Sequence, residues 1–268
     1  MLNNTLSGVN LKLSRRLSTA ASMVTPGNTV ADVGCDHGYL PIMLVREEIV
    51  PSAIALDVRP GPLSRAKTHI EDFGLTSKIE ARLSDGLSAL SAGECDTLVI
   101  AGMGGPLIEK ILGNDPEKAQ SFKEMVLGPQ SDVPHFRHWL YENGFSIIDE
   151  AMVREEGKYY PLIKAVYEET EERNIREDIL SKRGETEFPF SEGIDPENLS
   201  AEELLMYCGP ILLERRNIVL KEFLLWRYGI CDQIVMNLKN ADSESAAARR
   251  NEVEEEKQLI ERALSCYE

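Results

Sequence analysis

The chain has 268 residues, 43% of them hydrophobic, and a formal net charge of −16. This length and composition suit one large or two modest globular domains, exclude a disordered or fibrous protein, and argue against a general polyanion binder. The sequence has no run of roughly 20 apolar residues that would span a membrane, and its first 24 residues lack the apolar core of a secretory signal.

The five cysteines are scattered along the chain and form no C-x-x-C pair. This usage argues against a disulfide framework and a zinc site and indicates a reducing compartment. His135 and His138 lie three residues apart on a predicted helix with no matching third ligand, so we expect them at the surface. We therefore predict a cytoplasmic protein without a bound metal.

The charge is distributed unevenly. Residues 1–166 carry 16 Lys and Arg against 21 Asp and Glu, whereas residues 167–268 carry 13 against 24. The first 31 residues contain Lys12, Arg15 and Arg16 and no acidic residue. A local basic face can therefore meet a nucleic acid although the whole chain is acidic.

The N-terminal two thirds alternate between helical and extended patterns. Residues 11–24 predict a helix that ends before Pro26-Gly27. Strands are then predicted over residues 29–34, 53–58, 78–84, 96–102 and 124–128, and helices over 40–49, 62–73, 106–113 and 134–143. This alternation indicates βαβ units and a parallel sheet that helices cover on both faces.

Two long extended segments then flank the turn at Glu156-Gly157-Lys158 and predict an antiparallel hairpin. A parallel sheet closed by such a hairpin distinguishes the class I methyltransferase sheet from the dinucleotide-binding one. The predicted fold is α/β, with a Rossmann-like domain of this type over residues 1–167.

The composition changes from about residue 168. A charged segment (168–183) and a loop rich in Gly and Pro precede a helix start at residues 200–203. Residues 211–240 and 243–266 predict two long helices. Their predicted apolar stripes are Val219, Phe223, Trp226 and Ile230 on the first, and Val253, Ile260 and Ala263 on the second. We interpret residues 168–268 as an acidic helical, coiled-coil-like domain.

In an open parallel sheet a ligand binds beyond the carboxyl ends of the strands, where the strand order reverses. The first strand leads into Asp32-Val33-Gly34-Cys35-Asp36, in which Gly34 allows a tight turn close to a ligand. Asp36 stands where a dinucleotide-binding G-x-G-x-x-G motif has its second glycine, and a carboxylate there repels a pyrophosphate. It suits a ligand with an ammonium and a sulfonium, such as S-adenosylmethionine.

The later strand ends fit the same cofactor. Asp57 ends the second strand, where it can accept both ribose hydroxyls. Asp85 follows the third strand, where it can accept from the adenine amino group while Leu87 packs against the ring. Small residues end the fourth strand and leave space beside the reactive end of the cofactor. The predicted cofactor-binding residues are Asp32, Gly34, Asp36, Asp57, Val58, Asp85, Gly86, Ala101, Gly102 and Met103. A strand-terminal Asp is often only a helix cap, so the prediction depends on their order and spacing together.

Several motifs resemble those of the bacterial tRNA adenine-N1 methyltransferases that modify position 22. They are L-S-R-R-L (13–17), A-D-V-G-C-D-H-G-Y-L-P (31–41), A-L-D-V-R-P-G-P (55–62), S-D-G-L (84–87), I-A-G-M-G-G (100–105) and E-G-K-Y-Y (156–160). The likeness is detailed through about residue 166, and G-P-I-L-L-E (209–214) is similar to the start of that family's coiled-coil helices. It implies methyl transfer from S-adenosylmethionine to an adenine ring nitrogen, with tRNA as the partner.

The chain departs from the family pattern at two positions. Gly38 precedes Tyr39 where the family usually has Ala. Leu127-Gly128-Pro129-Gln130 replaces the usual L-Q-P-N, so that Gln130 keeps an amide on a longer side chain.

Adenine N1 has a free in-plane lone pair, so its methylation needs no general base. Enzymes that methylate an exocyclic amine place Asn or Asp before Pro-Pro after strand four, where this chain has A-G-M-G-G. The remaining work is positioning and stabilising a cationic product. We predict Asp36, His37 and Gln130 as catalytic residues. Asp36 would stabilise the product or hold the cofactor's amino group, His37 would orient the base or bond a phosphate, and Gln130 would bond the Watson–Crick edge. An ordinary turn or loop role stays open for each.

Basic residues predict how an acidic protein holds tRNA. The hypothesised phosphate contacts are Lys12, Arg15, Arg16, Arg59, Arg137, Arg154, Lys158 and the pairs Arg215-Arg216 and Arg249-Arg250. Two alternatives stay open: a methyltransferase of the same fold that acts on a small molecule, and a non-catalytic RNA-binding protein with a relic pocket. The sequence leaves the oligomeric state open.

Overall fold

The computed structural model describes residues 13–168, 201–239 and 243–268. The chain divides into two compact units, residues 1–171 and 172–268, which we describe separately. The passage between them and the predicted charged segment and loop lie mostly outside the described residues. The domain boundary after residue 167 therefore stays a prediction.

In the described part of the first unit, seven strands form one sheet in the order β3-β2-β1-β4-β5-β7-β6. The strands are β1 (Val30–Val33), β2 (Ala53–Asp57), β3 (Ile79–Leu83), β4 (Thr97–Met103), β5 (Glu124–Pro129), β6 (Phe145–Glu155) and β7 (Lys158–Tyr167). Strands β1 to β5 pair in parallel, and β7 pairs antiparallel with both β5 and β6. The predicted α/β sheet with its closing hairpin is confirmed.

Helices connect these strands. They are α1 (Arg15–Met23), α2 (Tyr39–Arg46), α3 (Pro60–Asp72), α4 (Gly105–Asn114), α5 (Pro116–Ser121) and α6 (Val133–Glu142). The short helix α5 was not predicted from the sequence. Strands β1, β2 and β5 are buried along their whole length, which explains why they have near-continuous apolar sequences rather than alternating ones.

The sheet grows in both directions from β1. β1 pairs with β2 on one side and with β4 on the other. The connections from β1 and from β4 therefore diverge, and a crevice opens between their carboxyl ends. This crevice is where the sequence predicts the ligand.

Helix α1 is fixed to the sheet at both ends. At its start the backbone N–H of Arg15 donates to Glu155 Oε1 over 2.6 Å. At its end Lys164 Nζ donates to the Met23 carbonyl over 2.8 Å and lies 2.9 Å from Glu124 Oε2. The helix is shorter than the predicted 11–24, of which residues 11 and 12 lie outside the described residues.

The prediction that Arg137 contacts tRNA is wrong. Its side chain is only 1% exposed on the inner face of α6, and its Nε lies 2.9 Å from the equally buried Glu150 Oε1. Either charge alone would be destabilising in this low-dielectric interior, so each is stabilised by the other. Arg137 therefore has a structural role.

The second unit contains α7 (Ala201–Cys208), α8 (Pro210–Glu214), α9 (Ile218–Leu238) and α10 (Glu244–Ser265). The prediction of one helix over residues 211–240 is wrong, because the chain breaks between α8 and α9. Arg216 has a φ of +48°, and the Asn217 side chain accepts from the N–H groups of Val219 and Leu220 to begin a new helix. Residue 240 lies outside the described residues.

Helices α9 and α10 pack against each other, and the buried residues of α9 differ from its predicted stripe. Leu220, Leu224 and Cys231 are buried, whereas Trp226 of the predicted stripe is 49% exposed. On α10 the predicted Val253, Ile260 and Ala263 are all buried. Polar contacts join the two helices as well, since Arg227 Nε lies 2.7 Å from Glu256 Oε1. The polar and apolar contacts together form a helical hairpin.

The basic pair on α10 is engaged within its own helix. Arg249 Nη1 lies 2.8 Å from Glu252 Oε2, and Arg250 Nε lies 4.0 Å from Glu254 Oε1. None of the helices in the described part of the chain has the length and apolar content needed to cross a bilayer.

The buried ion pair of the first unit yields a stability prediction. Arg137→Met leaves the Glu150 carboxylate buried without its cation, so we expect a loss of about 3–5 kcal/mol in the free energy of unfolding. Adding Glu150→Leu to this variant should restore most of the loss, because both charges are then gone. Urea unfolding measures both variants, with the exposed Glu142→Gln on the same helix as a control. A single Arg137→Met variant as stable as the parent would contradict this role.

Candidate cofactor and substrate site

A cavity of about 480 Å³ lies at the carboxyl ends of the parallel strands, where the strand order reverses. Its volume lies in the range of small-ligand sites. Nine of the ten predicted cofactor residues line it, together with Gln130: Gly34, Asp36, Asp57, Val58, Asp85, Gly86, Ala101, Gly102 and Met103. The fold therefore brings these strand ends into one site.

Asp57 forms the inner wall of the cavity at the end of β2. Its side chain is buried, and Oδ1 accepts the backbone N–H of Arg59 over 2.8 Å. The next residue, Val58, is 57% exposed and also lines the cavity. An oriented carboxylate beside an exposed apolar side chain matches what a ribose and its base require.

Asp32 lies within β1 and does not line the cavity. Burial, and then the negative charge of Asp57, raises the pKa of Asp32 to about 7. A neutral carboxyl group is favoured where a second carboxylate lies nearby in a low-dielectric interior. Asp32 therefore supports the wall behind the cavity.

Asp36 lies at the mouth of the cavity. Its backbone has a φ of +48°, which is unusual for a residue other than glycine, and its side chain is 58% exposed. Its two carboxylate oxygens face Arg65 Nη2 at 3.4 Å and His37 Nε2 at 3.5 Å. The loop thus presents an accessible negative charge beside the end of β1.

His37 does not line the cavity. Its ring stacks with Tyr39 at 5.3 Å between centroids and with His69 at 5.7 Å. The His37 carbonyl accepts from His69 Nδ1 over 2.9 Å, which fixes the His69 tautomer. The three rings brace the loop that carries Asp36, and Tyr39 is part of this packing.

Two glycines keep the cavity open. Gly34 has a φ of +79°, and a β-carbon there would collide with Met103 Cε. Gly102 has a φ of +116°, and a β-carbon there would lie 2.8 Å from Arg16 Nη1. The backbone angle favours glycine at both positions, and a β-carbon at either would displace the end of a neighbouring side chain.

The prediction that Leu87 packs against the adenine ring is wrong, because Leu87 is fully buried in the core. Leu107 and Ile111 of α4 line the cavity instead. These residues are one turn apart, so they share a helix face that begins directly after the glycines ending β4. That spacing is the sequence signal that could have identified them.

The adjacent arginines of α1 point to different places. Arg15 is exposed, whereas Arg16 is half-buried, lines the cavity and lies over the Tyr160 ring at 5.2 Å from its centroid. Gln130 is exposed at the end of β5, where its backbone N–H donates to the Met103 carbonyl over 2.9 Å. The predicted pair of RNA-binding arginines therefore divides between the surface and the cofactor cavity.

The donor set fits S-adenosylmethionine. Three carboxylates, Asp36, Asp57 and Asp85, line the cavity at successive strand ends. Their oxygens can accept hydrogen bonds from the hydroxyl and amino groups of the cofactor. Their negative charge favours a cationic ligand over a pyrophosphate. Within the described residues no cluster of His, Cys, Asp and Glu has the makeup of a metal site.

Comparison with known proteins likewise indicates a methyltransferase. Residues 13–163, which contain every cavity residue named above, match the family model described as a methyltransferase domain. The chain is 41% identical over 155 residues to a tRNA (adenine(22)-N(1))-methyltransferase of Bacillus subtilis, covering 58% of this chain and 65% of that protein, just under two thirds. It is 34% identical over 158 residues to a putative tRNA methyltransferase of Mycoplasma pneumoniae, covering 58% of this chain and 71% of that one.

Solved structures extend the likeness to almost the whole chain. The crystal structure of the Bacillus subtilis M1A22 tRNA methyltransferase TrmK superposes with a TM-score of 0.76 at 30% identity, covering 94% of this chain and 99% of that one. A putative tRNA (m1A22) methyltransferase of Streptococcus pneumoniae, solved in complex with S-adenosyl-L-methionine, superposes with a TM-score of 0.73 at 28% identity, covering 94% of this chain and 100% of that one. The chain belongs to the family of S-adenosylmethionine-dependent tRNA (adenine(22)-N(1))-methyltransferases.

Proposed function

We propose that this protein transfers the methyl group of S-adenosylmethionine to N1 of the adenine at position 22 of tRNA. The observation that carries the proposal is the acid-lined cavity that opens at Gly102 toward Gln130, in a chain belonging to this family. The bound cofactor supplies an electrophilic methyl group on a sulfonium. The protein's own residues have to hold that group and the target base in line.

The cavity residues divide this work between its two ends. Asp57 would accept hydrogen bonds from the ribose hydroxyls, and Asp85 would accept from the adenine amino group. Leu107 and Ile111 line the cavity from α4 and would pack against the adenine ring. Asp36 lies near the reactive end, where its exposed carboxylate attracts the cofactor's cationic groups and the positive charge that the methylated base acquires.

The open end of β4 supports methylation of a ring nitrogen. Ala101 and Gly102 present no acid or base there, and the adenine N1 lone pair needs none. Gln130 lies across this opening with its backbone fixed by Met103 and its side chain exposed. Its amide has a donor and an acceptor, which suits the Watson–Crick edge of an extruded adenine. His37 supports the target site indirectly, by bracing the loop of Asp36.

The tRNA would contact exposed basic residues around the cavity. Arg15, Arg154 and Lys158 are exposed and lie together, since Arg15 Nη1 approaches the Arg154 carbonyl at 3.5 Å and Lys158 follows in the hairpin turn. We name these three residues the basic hairpin cluster. Arg59, 73% exposed, adds a cation on the Asp57 side. The acidic residues 168–268 form a separate helical domain in this proposal, and a cytoplasmic location follows from the tRNA substrate.

The proposed reaction is tested on tRNA transcripts with adenine or guanine at position 22. With S-adenosylmethionine carrying a labelled methyl group, nucleoside mass spectrometry should find labelled N1-methyladenosine only in the adenine transcript. Asp36→Asn should methylate it at least about tenfold more slowly in a single turnover, because the amide cannot neutralise a cation. The exposed Asp72→Asn is the matched control. Label in both transcripts, or in neither with a folded protein that binds the cofactor, would contradict the proposed substrate.

The basic hairpin cluster makes a second prediction. Each phosphate neutralised by Lys or Arg releases counterions, so tRNA affinity should fall with salt. Replacing Arg15 and Lys158 by Glu should weaken tRNA binding and flatten the slope of log affinity against log salt. Filter binding over a salt series measures both, with Lys110→Glu on α4 as a control. An unchanged affinity and slope would show that the tRNA binds elsewhere.

A further inference from the structure

Arg16 is a cation without an anionic partner. Its side chain is half-buried in the wall of the cofactor cavity, and its guanidinium lies where a side chain at position 102 would otherwise be. Within the described part of the chain no carboxylate forms an ion pair with it, whereas carboxylates pair with Arg59, Arg65, Arg82 and Arg137 of the same unit. A partly buried charge of this kind is costly unless an anion meets it.

The surroundings of Arg16 hold the guanidinium in place without using its N–H donors. The Tyr160 ring stabilises the charge from 5.2 Å by a cation–π contact. Helix α1, which carries Arg16, is fixed by Glu155 at its start and by Lys164 at its end. The N–H donors of Arg16 are therefore positioned in advance for a ligand in the cavity.

The position of Arg16 in the cavity indicates which anionic group of a ligand it can meet. The methionyl group of the cofactor carries an ammonium and a carboxylate on one carbon, so its site needs an acceptor and a cation close together. Asp36 follows β1, Gly102 ends the neighbouring β4, and Arg16 lies against Gly102. The other arginine of the cavity, Arg59, lies on the Asp57 side, 3.9 Å from that carboxylate.

We infer that Arg16 binds the α-carboxylate of the methionyl group of the cofactor. A guanidinium can hold a carboxylate through two parallel hydrogen bonds, which fixes its orientation as well as its distance. The sulfonium is three bonds from the carbon that bears this carboxylate. Arg16 is therefore a positioning residue for the reactive methyl group. The inference depends on the cofactor and not on the tRNA substrate.

The test compares two ligands that differ only in the carboxylate. Isothermal calorimetry measures the binding of S-adenosylmethionine and of decarboxylated S-adenosylmethionine, which keeps the sulfonium and the ammonium. Arg16→Met keeps the length of the side chain and removes its charge. It should weaken S-adenosylmethionine about 10- to 100-fold, as expected for a charge-assisted hydrogen bond, and leave the decarboxylated ligand unchanged.

Arg46→Met is the matched control, because Arg46 also lies over an aromatic ring, that of Phe73 at 5.7 Å, but is exposed and does not line the cavity. It should change neither affinity. Arg16→Lys keeps the charge but loses the two-pronged geometry, so it should give an intermediate loss for S-adenosylmethionine alone. This second variant also keeps the test usable if Arg16→Met does not fold, as judged by its melting temperature.

Three results would overturn the inference. Equal weakening of both ligands would mean that Arg16 only supports the shape of the cavity. Unchanged binding of S-adenosylmethionine together with weaker tRNA binding would assign Arg16 to an RNA phosphate. If Arg16→Met bound S-adenosylmethionine, its decarboxylated form and tRNA as tightly as the parent, Arg16 would have no ligand role. Because the readout is cofactor affinity, a failure of the tRNA methylation assay leaves this comparison intact.

Discussion

The crevice between β1 and β4 is the constraint on which the site depends. The sheet extends in both directions from β1, so the loops after these two neighbouring strands run to opposite sides and leave their carboxyl ends uncovered. Gly34 and Gly102 leave room there for the side chains of Met103 and Arg16, and both have backbone angles that favour glycine. The acidic residues that follow β1, β2 and β3 then face one cavity although they are far apart in sequence.

The acidic residues at the strand ends differ in how deeply they are buried. Asp32 is withdrawn into the sheet, where burial and then the charge of Asp57 raise the pKa of its carboxyl group to about 7. Asp36 and Asp85 remain near solvent. Arg16 supplies positive charge at the β4 end from a helix that precedes the sheet in sequence. Helix α1 therefore contributes to the cavity wall together with the strand ends, and its anchors at Glu155 and Lys164 fix the helix that carries Arg16.

The sequence predicted the parts of the site that follow from local pattern. Apolar strands ending in Asp or Gly located β1, β2 and β4, because strand ends in a parallel sheet share one edge. It could not separate Arg15 from Arg16, since neighbouring helix positions diverge by about 100° and only packing shows which one faces the cavity. Arg137 was misassigned because its partner, Glu150, belongs to another element. The break at Arg216 and Asn217 depends on a left-handed residue and a side-chain cap that apolar periodicity does not reveal.

The central claim is that four strand ends form one S-adenosylmethionine site, with Asp57 holding the ribose. Calorimetric titration of S-adenosylmethionine into Asp57→Ala, with the exposed Asp72→Ala as control, tests it most directly. The account predicts a loss of affinity of about 10- to 100-fold for Asp57→Ala alone, since a charged acceptor for two hydroxyls disappears. A folded Asp57→Ala protein that binds the cofactor as tightly as the parent would contradict the account.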